Sequence, residues 1–280
     1  MSDARRRYDA FYRRSLEDPE AFWSEAAGLI EWSHPPDRAV EQGAPSEFRW
    51  FPGGRTNLAV NALDRHVAGG RGDHPALIAL DERGNRRSAT YAELLSAVEH
   101  TAAALRALGI GKGDRLTIYM PTCFEAIVAM LATVRIGAIH SVVFAGFGAG
   151  ALRERIQASG SRLVLTADVT YRKGNDVDLL AIVGQALAEG AGSVEHVIVV
   201  ERGATPSSAV LPGRLSWTEF LQLGTDGDGT AEETDADDPA FILATSGTTA
   251  RPKLAVHRHG GYQVHITAMG RWVFDLGPDD

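Results

Sequence analysis

A run of hydroxyl, glycine and lysine residues late in the chain carries the clearest chemistry: Thr245, Ser246, Gly247, Thr248, Thr249, Ala250, Arg251, Pro252 and Lys253. It follows an apolar strand-like run, Phe241 to Ala244, and precedes a second, Leu254 to Val256, which leads to His257, His259 and the pair Gly260-Gly261. Hydroxyls and exposed backbone N–H groups donate to phosphate oxygens, a glycine lets the backbone approach closely, and a lysine adds a mobile positive charge. This is the composition of a loop that holds phosphate. It is not a Walker loop, because neither the glycine spacing nor a hydroxyl after the lysine is present.

Other candidates weigh less. Gly146-Phe147-Gly148-Ala149-Gly150 lies between a strand and a helix pattern, but its spacing is G-x-G-x-G, so a tight turn is expected rather than a dinucleotide fingerprint. His257 and His259 stand two apart with no cysteine or carboxylate beside them, which favours a structural or phosphate-neighbour role over zinc, and no metal ligand set is read. Ser246 lacks the Gly-x-Ser-x-Gly elbow of a hydrolase nucleophile and is read as a phosphate donor. Cys123, the one cysteine, sits in an apolar helical run and is expected to be a buried small hydrophobe.

The elements that must position these residues alternate in type. Residues 8–32 suggest two short amphipathic helices with an aromatic face, read as packing against a main body. Ala76 to Leu80 and Arg87 to Ala89 flank a turn and predict a hairpin. Thr90 and Glu93 form a capping box that opens a helix ending at Gly109. Strand, helix and strand then repeat: Arg115 to Met120, Cys123 to Ile136, Ala138 to Phe144, Ala149 to Ser159, Arg162 to Ala167, Leu179 to Ala188 and His196 to Val200. That alternation predicts βαβ units and a parallel sheet. Ser216 and Glu219 form a second capping box. Thr225 to Pro239 carries seven Asp and Glu residues and no Lys or Arg, and is expected to be a solvated, mobile connector. The expected organisation is an N-terminal segment over 1–66, a first α/β subdomain over 67–223, an acidic linker over 224–239, and the start of a second α/β subdomain over 240–280.

Composition bounds the function. Hydrophobic residues make up 44% and charged ones 23%, as in ordinary globular proteins. The net charge of −8 argues against a nucleic-acid binder. A single cysteine excludes internal disulfides and fits a reducing compartment, no apolar run approaches membrane-spanning length, and the N-terminal arginines lack a following apolar core, so a cytoplasmic protein with no membrane partner is expected.

Several segments together resemble a known family. Thr245 to Leu254 is similar to the AMP-binding signature of the adenylate-forming superfamily, Thr-Ser-Gly-Thr-Thr-Gly-x-Pro-Lys-Gly. Trp50-Phe51-Pro52-Gly53-Gly54 with Asn57, Asn61 and Leu63-Asp64-Arg65-His66 resembles the N-terminal segment of acetyl-CoA-synthetase-like short-chain acyl-CoA synthetases. Ile118 to Pro121, Arg135 to Phe144 and Thr166-Ala167-Asp168 match the same branch. The resemblance implies the fold of the adenylate-forming N-terminal domain and an AMP-forming acid–thiol ligase. In that reaction a carboxylate attacks the α-phosphorus of ATP, and CoA thiol then displaces AMP from the acyl-adenylate. ATP, Mg²⁺ and CoA are the implied substrates and cofactor. The resemblance assigns Thr245, Ser246, Gly247, Thr248, Thr249 and Lys253 to the ATP phosphates. It assigns Gly146, Arg172, Lys173, Gly174 and Asn175 to CoA, with Gly146 lining the pantetheine tunnel.

The chain departs from the family pattern at Ala250 and Leu254, where the signature has glycine, and at Asn175, where acetyl-specific relatives carry a second CoA arginine. It also ends at Asp280, before the family's next signature. The expectation is an N-terminal part truncated within its second α/β subdomain, with the catalytic lysine region absent, incapable of thioester formation alone and prone to low solubility or dimerisation through exposed core faces. The rival expectation is a non-catalytic nucleotide-binding or interaction module, or half of a split enzyme, that pairs a sheet edge with a partner chain.

Overall fold

Capping and periodicity signals become elements close to where the sequence marks them. The structure, a computed structural model, describes residues 3–44, 47–190, 192–203, 209–245 and 253–277. Helix α1 (Asp3–Glu17) is followed by α2 (Pro19–Ala27), where Pro19 takes the first turn and the Asp18 carboxylate accepts from the Ala21 N–H. Strand β1 (Val40–Gln42) pairs antiparallel with β2 (Phe48–Trp50). Two short π-helical stretches, Val60–Asp64 and Val67–Arg71, lead to the hairpin of β3 (Pro75–Leu80) and β4 (Arg86–Thr90). Helix α3 (Tyr91–Ala107) opens on the capping box: the Glu93 N–H donates to Thr90 Oγ1 and the Thr90 N–H to Glu93 Oε2.

The expected alternation then builds the main sheet. Strand β5 (Arg115–Tyr119), helix α4 (Phe124–Arg135), strand β6 (Ile139–Val142), helix α5 (Ala149–Ser159) and strand β7 (Leu163–Ala167) follow in turn. A hairpin of β8 (Val169–Arg172) and β9 (Asn175–Asp178) comes next, then α6 (Leu179–Ala188), β10 (His196–Val200), β11 (Arg214–Ser216) and α7 (Trp217–Gln222). Strands β12 (Pro239–Thr245) and β13 (Lys253–Arg258) and helix α8 (His259–Ala268) complete the series, followed by a π-helical turn, Met269–Val273.

Seven strands form one sheet in the order β11-β10-β7-β5-β6-β12-β13, parallel except for β13, which runs antiparallel to β12. Every residue of β7 is buried, as the unbroken apolar run Leu163-Val164-Leu165 requires of a strand covered on both faces. Helices α3, α4 and α7 pack together, as do α5 and α6, and both groups close on the strands. The N-terminal segment is not a separate body. Ala26, Ala27, Ile30 and Phe51 share a buried cluster with Val264 and Ala268 of α8, and Phe11 and Phe22 meet Trp272 ring to ring.

One expectation is corrected. The acidic stretch is docked rather than solvated and mobile. Arg106 donates to the Asp228 and Thr230 carbonyls, Arg135 to the Gly229 carbonyl and Asn57 to the Glu232 carbonyl, while Lys112 pairs with Asp238 at 2.8 Å and Thr234 is wholly buried. The cations that neutralise it come from the distant segments around α3 and α4, so the local sequence looked unpaired. Strand β12 pairs parallel with β6 and so joins the sheet of the preceding strands.

Candidate functional site

Strands β5, β6, β7 and β12 are parallel, so their C-terminal ends meet on one sheet edge, where open α/β sheets bind ligands. The chain passes from β5 to its neighbour β6, then crosses back to lay β7 on the other side of β5. That reversal opens a crevice between the strand ends. A cleft of about 420 Å³ lies there, lined by Met120 and Pro121 after β5, Phe144 and Gly146 after β6, and Arg172 and Lys173 of the following hairpin.

Three residues expected at CoA therefore converge on one cleft: Gly146, Arg172 and Lys173. A Cβ at position 146 would overlap the Arg172 guanidinium and the Phe144 ring, so the missing side chain is what lets Arg172 lie across the strand end. The guanidinium carbon sits 5.2 Å from the Phe144 ring centre, a cation–π contact. Gly148 caps α5, the Phe147 N–H donates to the Phe144 carbonyl, and the buried Tyr119 hydroxyl donates to the Phe147 carbonyl at 2.6 Å. The glycine-rich segment is thus the tight strand-to-helix turn its spacing suggests.

Gly174 and Asn175 complete the hairpin. Arg172 and Asn175 are register partners, and Lys173 and Gly174 between them both have positive φ, 50° and 79°. This is the two-residue turn whose twist suits an antiparallel pair, with glycine at its second position and lysine held in the left-handed region at the first. The turn fixes Arg172 and Lys173 at the cleft mouth. Asn175 Nδ2 turns back to the Lys173 carbonyl at 3.3 Å.

At the hairpin of β12 and β13, Thr245 and Lys253 face each other as a register pair, and Thr245 Oγ1 donates to the Lys253 carbonyl at 3.3 Å. Both are exposed at the strand-end edge. Ser246, Gly247, Thr248 and Thr249, with Ala250 and the loop as far as Pro252, lie outside the described residues. Beneath the hairpin, His140, Phe241 and His257 stack face to face across β6, β12 and β13, with ring centres 5.3 and 4.5 Å apart. Burial holds His140 neutral, its pKa pushed down to about 3 with nearby His259 adding to the effect. His259 is pushed down to about 4, also mainly by burial, and its Nδ1 accepts the Leu58 N–H. Both histidines of the expected pair are thus structural: His257 stacks and His259 anchors the start of α8.

Cys123 is half-buried at the N-cap of α4 rather than inside the helix, and burial pushes its thiol up to about 11, so it stays protonated. Among the described residues, no group of three or more His, Cys, Asp or Glu side chains comes together to hold a metal ion. Sequence reasoning missed Phe144 and the β8–β9 hairpin. An aromatic at the end of an apolar strand, and Lys-Gly between two extended runs, were the available signals.

Comparison with known proteins bears on the family and the fold. The family model described as AMP-binding enzyme matches residues 63–280, and that for the acetyl-coenzyme A synthetase N-terminus matches residues 8–62. The chain belongs to the AMP-binding enzyme family. It is 45% identical over 278 residues to an acetyl-coenzyme A synthetase of Deinococcus radiodurans, covering 99% of this chain and 42% of that protein. It is 41% identical over 270 residues to one of Mycobacterium tuberculosis, covering 96% and 41%. The solved acetoacetyl-CoA synthetase from Streptomyces lividans superposes with a TM-score of 0.85 at 32% identity, over 97% of this chain and 41% of that one. The chain therefore spans about two-fifths of the length of these AMP-binding relatives. The seven-stranded, mostly parallel sheet is the expected fold of the adenylate-forming N-terminal domain.

Proposed function

We propose that this chain is the N-terminal part of an AMP-forming acyl-CoA synthetase and carries two of its binding elements, one for CoA and one for the ATP phosphates. The supporting observation is the convergence of Gly146, Arg172 and Lys173 on one cleft at the β5–β7 switch, on the edge where Thr245 and Lys253 also end. Arg172 and Lys173 offer fixed positive charge to the phosphates at the nucleotide end of CoA, and Gly146, whose missing side chain leaves room for the Arg172 guanidinium and the Phe144 ring, lines the path of the pantetheine arm. With Asn175 in place of a second arginine, Lys173 is the other hairpin cation.

Residues 245–253 supply hydroxyl, N–H and ammonium donors to the departing pyrophosphate, whose charge grows as the carboxylate attacks the α-phosphorus. Among the described residues, no group of three or more His, Cys, Asp or Glu side chains offers Mg²⁺ a protein cage. The acyl-adenylate and its thiolysis belong, in this proposal, to the longer protein, and no acyl-CoA is expected from the chain alone. Incubation with acetate, ATP and CoA tests this: turnover comparable to a full-length relative would overturn it. A split-enzyme arrangement is a second reading. Its support is that, among the described residues, β13 pairs on one side only and exposes Val256.

A further inference from the structure

The Leu63-Asp64-Arg65-His66 motif plays no part in either binding element, yet its last two residues face a cleft of about 570 Å³ on another part of the molecule. Asp64 is turned away to pair with the buried Arg135, at 2.8 and 3.0 Å. Arg65 is thereby left without its neighbour's carboxylate. Its Nη1 donates to the Leu29 carbonyl and to Asn61 Oδ1, while its Nε is buried and has no partner.

Further basic side chains reach the same cleft from other elements. Arg71 comes from the second π-helical stretch, His74 from the turn before β3, and Arg271 from the π-helical turn after α8. Burial and the charge of Arg271 both act against the protonated Arg65, and Glu31 is the carboxylate that acts in its favour. The His66 ring lies 4.7 Å from Tyr91, which forms a flat wall. Arg65, Arg71 and Arg271 thus bring guanidinium groups from separate elements to one cavity, with Arg271 close enough to act on the charge of Arg65, and this donor set suits an anion with several oxygens.

We propose that this cleft binds a small phosphate polyanion of the pyrophosphate type, at a site separate from the loop after β12. None of its lining residues belongs to that loop or to the β5–β7 cleft.

The test is calorimetric titration of pyrophosphate, and in parallel ADP, into the full chain carrying Thr245→Ala and Lys253→Ala, which strips the loop of its ammonium and its first hydroxyl and so weakens its share of the binding. One remaining site is expected, weakened about tenfold or more by Arg271→Gln and by Arg65→Gln. Arg65 also holds the Leu29 carbonyl, so circular dichroism must show that variant folded; if it is not, Arg271→Gln alone decides. Binding of ADP together with pyrophosphate assigns the cleft to a nucleotide diphosphate, and binding of pyrophosphate alone to the inorganic ion; either supports the proposal. No heat up to about 10 mM pyrophosphate, or an affinity that Arg271→Gln leaves unchanged, overturns it.

Discussion

The cleft over β5, β6 and β7 and the hairpin of β12 and β13 occupy one edge of one sheet but rest on different supports. The cleft stands on central strands buried on both faces, and its cations are presented by a two-residue turn with fixed backbone geometry. The hairpin is the last pair of the sheet, with Leu243 and Val256 exposed and a stack of rings beneath it. Ring stacking and two neutral histidines do for the hairpin what close apolar packing does for the cleft. One sheet thus combines a cleft wall on buried central strands with an edge hairpin whose footing weakens as His140 and His259 take up protons.

The largest expected effect tests the shared frame. Arg135, nearly wholly buried at the end of α4, pairs with Asp64 and Glu99 and donates to the Gly229 carbonyl. Arg135→Ala leaves two carboxylates facing an emptied site and is expected to cost about 3–5 kcal/mol in denaturant unfolding, loosening cleft and hairpin alike. A loss below about 1 kcal/mol would show that the frame does not depend on it.

Comparable in total, but spread over more than two pH units, is the response to acid, which should separate the two regions. Above the usual histidine pKa of 6.5, His140 and His259 are neutral whether folded or unfolded. Below it the unfolded chain takes up protons that the folded chain refuses until about pH 4 for His259 and about 3 for His140. Stability must therefore fall as pH drops through that window, by on the order of 1 kcal/mol per pH unit for each histidine. His140→Phe keeps the stack on Phe241 and should remove its share of the slope. An unchanged slope between pH 6.5 and 4 in that variant would contradict the account of the hairpin's support.

A smaller, local effect belongs to the cleft. Gly146→Ala displaces the Arg172 guanidinium and the Phe144 ring, side chains rather than backbone, so CoA affinity is expected to fall about tenfold or more, with a stability change under about 1 kcal/mol. A variant that keeps full CoA affinity would show that the cleft does not need Arg172 held across position 146.

What could be read from the sequence divides along similar lines. Thr90 with Glu93, Ser216 with Glu219, and the stop at Gly109 are local devices, and the helices begin and end beside them. Gly146 and Arg172 were singled out by resemblance, but their contact depends on how β6 and the β8–β9 hairpin are brought together, which no local pattern encodes. The acidic stretch was misread for the same reason: Arg106, Lys112 and Arg135 reach it from more than ninety residues away. Likewise, the place of β12 beside β6 is a long-range pairing, and an apolar run cannot name its neighbour.

Calorimetric titration of CoA into the chain and into Arg172→Gln tests the central claim most directly. The account predicts that CoA binds the unmodified chain and that Arg172→Gln weakens it about tenfold or more, while pyrophosphate binding is unaltered. A folded Arg172→Gln chain that binds CoA as tightly as the unmodified one would contradict it.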